Sequence, residues 1–159
     1  MTRVLLFDFS RTLIFPKDPS YDGKLNDLYR QIISNKNYDI FEHFVLNEEL
    51  INFVKSFKSK YNLVIFTTDI LQNDPAIKHI LDRVFSKVYA AKDLEVSKRE
   101  PNGYKTVAEK LNVHPKDILF IDDLEDNINP AKEAGLQTIR YISNNQLIEE
   151  LRIRLTPTP

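Results

Sequence analysis

Three short, unbroken apolar runs end abruptly in an oxygen-bearing side chain. Val4-Leu5-Leu6-Phe7 stops at Asp8, Leu63-Val64-Ile65-Phe66 at Thr67, and Ile118-Leu119-Phe120-Ile121 at the pair Asp122-Asp123. Runs this short that do not alternate with polar residues suit strands buried on both faces, as in a parallel sheet covered by helices on each side. Two weaker runs, Val88 to Ala91 and Thr138 to Ile142, extend the set. Helical periodicity fills the intervals. Leu50, Ile51, Val54 and Phe57 recur at helical spacing behind Asn47, a predicted N-cap. Pro75 and Pro101 follow Asp74 and Glu100, where a first helical turn accepts proline. Gly135 fits the C-terminal cap of a helix starting near Asp126 or Asn127, and the last helix is expected from Asn144 or Asn145. Strands alternating with helices predict an α/β fold, a doubly wound parallel sheet of Rossmann-like type.

Residues 14–46 interrupt this alternation. They hold Pro16, Pro19 and Gly23, a helical stretch around Leu25 to Ile33, and an aromatic-rich piece from Tyr38 to Val45. Some 30 residues are too few to bury a core of their own. The expectation is therefore one core domain over residues 1–155, with 14–46 a small insertion or minimal cap packed on it, and a frayed tail at 156–159. A length of 159 residues fits a single domain.

Composition removes several function classes. With 22 Lys and Arg against 23 Asp and Glu, the net charge of -1 offers no basic field for nucleic acid or an anionic membrane. Zero Cys excludes disulfides, thiolate metal sites and cysteine nucleophiles, and fits a reducing compartment. Gly23, Gly103 and Gly135 are the only glycines, too scattered for a dinucleotide or P-loop fingerprint. The first apolar run is far shorter than a signal-peptide core or a membrane span. The expected setting is cytoplasmic, with no nucleic-acid and no membrane partner.

Ligands of a doubly wound sheet bind beyond the carboxyl ends of its strands, where Asp8, Thr67 and Asp122-Asp123 are expected. Carboxylates gathered there repel one another unless a cation or a proton joins them. Mg2+ is the natural occupant, because it takes oxygen ligands and keeps positions open for phosphate.

These residues resemble the motifs of the haloacid dehalogenase (HAD) superfamily of phosphohydrolases. Its first motif, a buried strand followed by Asp-x-Asp-x-Thr, is similar to Asp8-Phe9-Ser10-Arg11-Thr12. Its second, a strand ending in Ser or Thr, matches Val64-Ile65-Phe66-Thr67. Its third, a Lys before a Pro and an aromatic residue, looks like Lys98-Arg99-Glu100-Pro101-Asn102-Gly103-Tyr104 with one proline replaced. Its fourth, paired acids between an apolar strand and a helix, is similar to Ile118 through Asn127. Receiver domains are the nearest look-alike, but they carry their paired acids after the first strand, the reverse of the order here.

The resemblance implies a Mg2+-dependent phosphohydrolase. Asp8 would be the nucleophile, forming an aspartyl phosphate. The ion would be held by Asp8, Asp122, Asp123 and a backbone carbonyl from Ser10. Thr67 would hydrogen-bond a phosphoryl oxygen, and Lys98 would supply positive charge, with Lys92 the fallback. The departure is Ser10, which stands where the family places the Asp that gives and takes protons. Two other readings follow from it: a HAD-fold binding or regulatory protein with weak or silent catalysis, and a dehalogenase-like C–X hydrolase, against which the retained acid pair argues. The expected partner is a phosphorylated substrate, large if the cap is small. His43, His79 and His114 are not spaced as a metal set, and Tyr38, Phe41 and Phe44 are expected to pack the insertion.

Overall fold

The computed structural model describes residues 1–155, so the tail expected at 156–159 lies outside the described residues. In chain order the elements are β1 (Val4–Phe7), β2 (Ile14–Pro16), α1 (Leu25–Ile32), β3 (Phe44–Leu46), α2 (Glu48–Lys55), β4 (Asn62–Thr67), α3 (Pro75–Leu81), β5 (Lys87–Ala90), α4 (Pro101–Leu111), β6 (Ile118–Asp122), α5 (Glu125–Glu133), β7 (Gln137–Arg140) and α6 (Asn144–Leu155). Five strands form one sheet in the order β5-β4-β1-β6-β7, every adjacent pair parallel. This is the α/β, Rossmann-like fold expected from the alternating runs.

The apolar runs are continuous because both faces of the sheet are covered. Leu5, Phe7, Leu63, Ile65, Leu119 and Ile121 pack with Leu50 and Val54 of α2, Ile77 and Leu81 of α3, and Leu147 and Leu151 of α6. Val4, Leu6, Val64, Phe66, Ile118 and Phe120, the alternate positions, pack with Tyr104 and Val107 of α4 and Ile128 and Ala131 of α5. Side chains alternate between faces along a strand, so a strand apolar at every position feeds both layers. Each fully buried aliphatic or Phe side chain contributes about 1.5 to 3 kcal/mol.

Register fixes the height of the strand ends. Phe7 lies beside Ile65 of β4 and Ile121 of β6, so Asp8 and Asp122 emerge at one level at the carboxyl edge. Gly135, at a φ of 94°, takes the left-handed conformation that ends α5 and turns the chain into β7. The last strand is shorter than its apolar run: it stops at Arg140, and Ile142 is 74% exposed.

Residues 14–46 join the first of the two buried layers. Leu25 and Tyr29 of α1, together with Ile40, Phe44 and Leu46, belong to the cluster around Leu5 and Phe7, while β2 and β3 form an antiparallel pair. Polar contacts fasten the segment beyond β4: the Asn26 side-chain oxygen accepts from the amides of Ile70 and Leu71, Tyr38 donates to Asp74 at 2.7 Å, and Arg30 pairs with Asp69. Of Tyr38, Phe41 and Phe44, expected to pack this segment, Phe44 is core, Tyr38 is anchored by its hydroxyl, and Phe41 is exposed. Among the described residues no helix is long and apolar enough to cross a membrane.

Candidate active site

Asp8 is the first residue beyond β1, and its amide donates to the Ile121 carbonyl at 2.8 Å. The chain then turns tightly, with the Phe9 carbonyl accepting from the amides of Thr12, Leu13 and Ile14. The turn forces Arg11 into left-handed backbone at a φ of 59°, a conformation costly for a non-glycine residue. Asn47 secures the far side: its amide donates to the Leu13 carbonyl and its side chain to the Thr12 carbonyl at 2.9 Å. Asn47 also caps α2 and bonds Asn144, so three elements share one buried amide.

Lys98, from the loop before α4, reaches across the sheet edge. Its Nζ contacts Asp8 at 2.5 Å and Asp122 at 2.9 Å, with all three side chains buried. The ammonium lies 5.6 Å and 5.5 Å from the ring centroids of Phe66 and Phe120, which confine it. Two features of α4 hold this loop in place. The Tyr104 hydroxyl donates to the Lys98 carbonyl at 2.7 Å. At Gly103 a Cβ would stand 2.4 Å from the Ser97 carbonyl oxygen, so only glycine lets the helix approach the loop so closely.

The paired acids divide their contacts. Asp122 is fully buried and accepts from Lys98, from the Asn127 side chain at 2.9 Å and from the Leu124 amide at 2.8 Å. Asp123 is half-buried and lines the cleft, and among the described residues no other side chain hydrogen-bonds its carboxylate. Burial, then the charge of Asp122, lifts the Asp8 carboxyl to about 7 despite Lys98, and the same two causes lift Asp123 to about 6. Burial alone would lower Lys98, but Asp8 and Asp122 outweigh it and raise it, so the ammonium is retained.

A cleft of about 700 Å³ opens over these groups. Asp8, Ser10, Lys98 and Asp123 line it, joined by Arg11, Thr68, Asp69 and Asn127 and by the insertion from Asp22 to Asp27. Thr67 ends β4 and is buried, while its neighbour Thr68 is the one that lines the cleft. Lys92 is also in the wall, 60% exposed and 3.8 Å from Asp69, whereas Lys98 makes the carboxylate contacts. None of the three histidines lines it. His114 caps a turn by accepting from the Lys116 amide, and His79 contacts Arg83 on the surface. Sequence reasoning passed over Thr68 and gave Asn47 only its role as the N-cap of α2, which the structure shows; Arg11 and Asn127 lay inside the quoted first and fourth motifs and were assigned no role.

The donor set fits a hard divalent cation. One carboxylate oxygen from each of Asp8, Asp122 and Asp123 lies within 4.8 Å of the others, and one lysine cannot neutralise three acids. The raised carboxyls make this testable. The folded chain holds protons on Asp8 and Asp123 between the ordinary carboxylate range and about 7 that the unfolded chain has released. These groups therefore cost stability progressively as pH rises through that window, and a cation bound to the ionised forms restores it. Mg2+ is expected to raise the melting temperature clearly at about pH 8 and much less at about pH 5. A shift of the same size at both pH values, read by calorimetry, would count against this site.

A family model of haloacid dehalogenase-like hydrolases matches residues 3–135. Among curated proteins, the chain is 39% identical over 46 residues to an enolase-phosphatase of Methylococcus capsulatus, covering 29% of this chain and 20% of that protein. It is 35% identical over 54 residues to the bifunctional epoxide hydrolase of Rattus norvegicus, covering 34% of this chain and 10% of that one. The matches thus span a fifth or less of these relatives. Solved structures share the fold over most of the chain. A HAD family enzyme of Bacteroides thetaiotaomicron in complex with magnesium and inorganic phosphate has a TM-score of 0.64 at 18% identity, covering 91% of this chain and 96% of that one. A HAD phosphatase of Thermococcus onnurineus has a TM-score of 0.71 at 15% identity, covering 97% and 98%. On the family model and the shared fold together, the chain belongs to the haloacid dehalogenase-like hydrolases.

Proposed function

We propose that the chain is a Mg2+-dependent phosphohydrolase that works through an aspartyl phosphate on Asp8. The observation that carries this reading is the meeting of Asp8, Lys98 and Asp122 in one buried contact, with Asp123 beside them facing the cleft. An Asp8 oxygen attacks phosphorus, the bond to the leaving oxygen breaks, and water then releases phosphate from the acyl phosphate. Lys98 lowers the repulsion between the Asp8 carboxylate and the phosphoryl group. Asp122, saturated by Lys98, Asn127 and the Leu124 amide, positions the lysine. Thr68, which lines the cleft beside the buried Thr67, donates to a phosphoryl oxygen. Asp8 and Asp123 hold the ion, with Asp122 behind them and the Ser10 backbone contributing; when bound, the ion neutralises carboxylate and phosphate charge. Residues 14–46 act as a minimal cap on a core domain of residues 1–155, leaving room for a sizeable phosphorylated substrate.

The magnesium and phosphate in the Bacteroides relative support the reading. The test is a screen of phosphate esters with Mg2+ on the wild type beside Asp8→Asn. Turnover of at least one ester, lost in Asp8→Asn, is the expected result. Activity that survives the substitution belongs to a contaminant. Ser10 favours a second reading, a site that binds phosphate without turning esters over. Phosphate binding by calorimetry with no turnover of any ester would establish that reading in place of the first.

A further inference from the structure

Ser10 leaves the reaction without an acid for the leaving oxygen, and the next residue is an arginine in an unusual state. Arg11 lines the cleft from left-handed backbone. Its Nη2 donates to the carbonyls of Tyr21 and Gly23, each at 2.9 Å, which binds the turn after Asp8 to the insertion. Those two bonds use both hydrogens of Nη2. Nε and Nη1 have no partner among the described residues, and Arg11 pairs with no carboxylate there, whereas Arg30, Arg99 and Arg140 each do. A part-buried guanidinium with a free edge in a phosphate cleft is matched by an anion.

In-line displacement puts the leaving oxygen opposite Asp8, away from the sheet edge and toward the insertion. Arg11 is tethered on that side. We propose that Arg11 is a catalytic residue that replaces the missing acid by charge: its free guanidinium edge holds the leaving oxygen as negative charge develops there. This rests on the phosphohydrolase reading above. The bond between Asp8 and phosphorus forms, the bond from phosphorus to the leaving oxygen breaks, and its electron pair stays on that oxygen beside Arg11. Solvent water then protonates the departing alkoxide. A guanidinium holds its protons too tightly to donate one, so it gives charge and hydrogen bonds here but no proton.

The test compares Arg11→Gln and Arg11→Lys with the wild type on an alkyl phosphate and on para-nitrophenyl phosphate, with Mg2+ and with folding checked by circular dichroism. Losing one such donor is expected to cost about 10² to 10³ in kcat on the alkyl ester. The loss on the aryl ester, whose leaving group carries its own charge, should be at least about tenfold smaller. Arg11→Lys keeps the charge but not the two-carbonyl clamp, so it should retain more alkyl turnover than Arg11→Gln. Equal losses on both esters in Arg11→Gln, or equal behaviour of the Lys and Gln variants, would overturn the proposal and leave Arg11 a brace for the insertion. A wild type inactive on every ester removes the phosphohydrolase reading itself, and this proposal with it.

Discussion

Lys98→Met is expected to cost about 3 to 5 kcal/mol of stability at neutral pH and above, the range for removing one partner from a buried ionic contact. For a chain of this size that is about 6 to 20 °C in melting temperature. The cause is what stays behind. Asp8 and Asp122 are buried, and without the ammonium nothing in the described residues offsets their mutual repulsion. The Asp8 carboxyl, already raised by burial, then rises further, and a carboxyl raised in the folded state costs stability that grows with pH until the group ionises. The deficit should accordingly be small at about pH 5, where a proton takes the place of the lysine charge, and largest at about pH 8. Mg2+ should recover part of the stability at the higher pH and none of the turnover, since the phosphoryl group still lacks its lysine. Thermal melts at both pH values, with and without Mg2+, make the comparison. A variant that melts with the wild type at about pH 8 would mean that the buried contact is not formed.

This sensitivity to one lysine shows which parts of the site a sequence makes legible. The strand ends were legible because a double-sided sheet demands strands apolar at every position, and the break to Asp8, Thr67 or Asp122 is then abrupt. Lys98 was legible only through the resemblance of Lys98 to Tyr104 to a motif, because a lone lysine beside Arg99 is otherwise an ordinary surface residue. The division of labour between Asp122 and Asp123 was not legible. Asp122 is the last residue of β6 and Asp123 the first beyond it, and which of them meets Lys98 and Asn127 depends on where α4 and α5 pack. Gly103 and Arg11 were hidden for a similar reason. One matters through a carbonyl six positions earlier in the chain, the other through a backbone angle imposed by the turn around the Phe9 carbonyl. In the insertion the aromatic piece was read as packing; Phe44 is core, but the hydroxyl that ties Tyr38 to Asp74 pairs residues with no pattern between them.

Ser10→Asp should raise alkyl phosphate turnover by up to about 10² to 10⁴, the usual worth of a placed general acid and base. Ser10 lines the cleft two residues after Asp8 and is held in its turn by a bridge to Ile14, so a carboxylate there reaches the same space. The wild type has only a hydroxyl, whose proton is held far too tightly for this work at neutral pH. A proton donor matters in proportion to how poor the leaving group is. An alkoxide needs one, whereas an aryl oxide, or the carboxylate leaving an acyl phosphate, departs without help. Wild-type activity is therefore expected to be strongest on aryl and acyl phosphates and weak on sugar or alkyl phosphates. The second step suffers as well, since no base takes the proton of the attacking water, so a phosphoryl group should accumulate on Asp8 and be visible as added mass in the intact protein after rapid quench. Ser10→Asp should remove that accumulation and narrow the gap between alkyl and aryl esters. It should also weaken the dependence on Arg11, because a protonated leaving oxygen no longer needs a positive neighbour. Equal wild-type rates on both classes of ester, unchanged by Ser10→Asp in a folded protein, would show that another group supplies the proton.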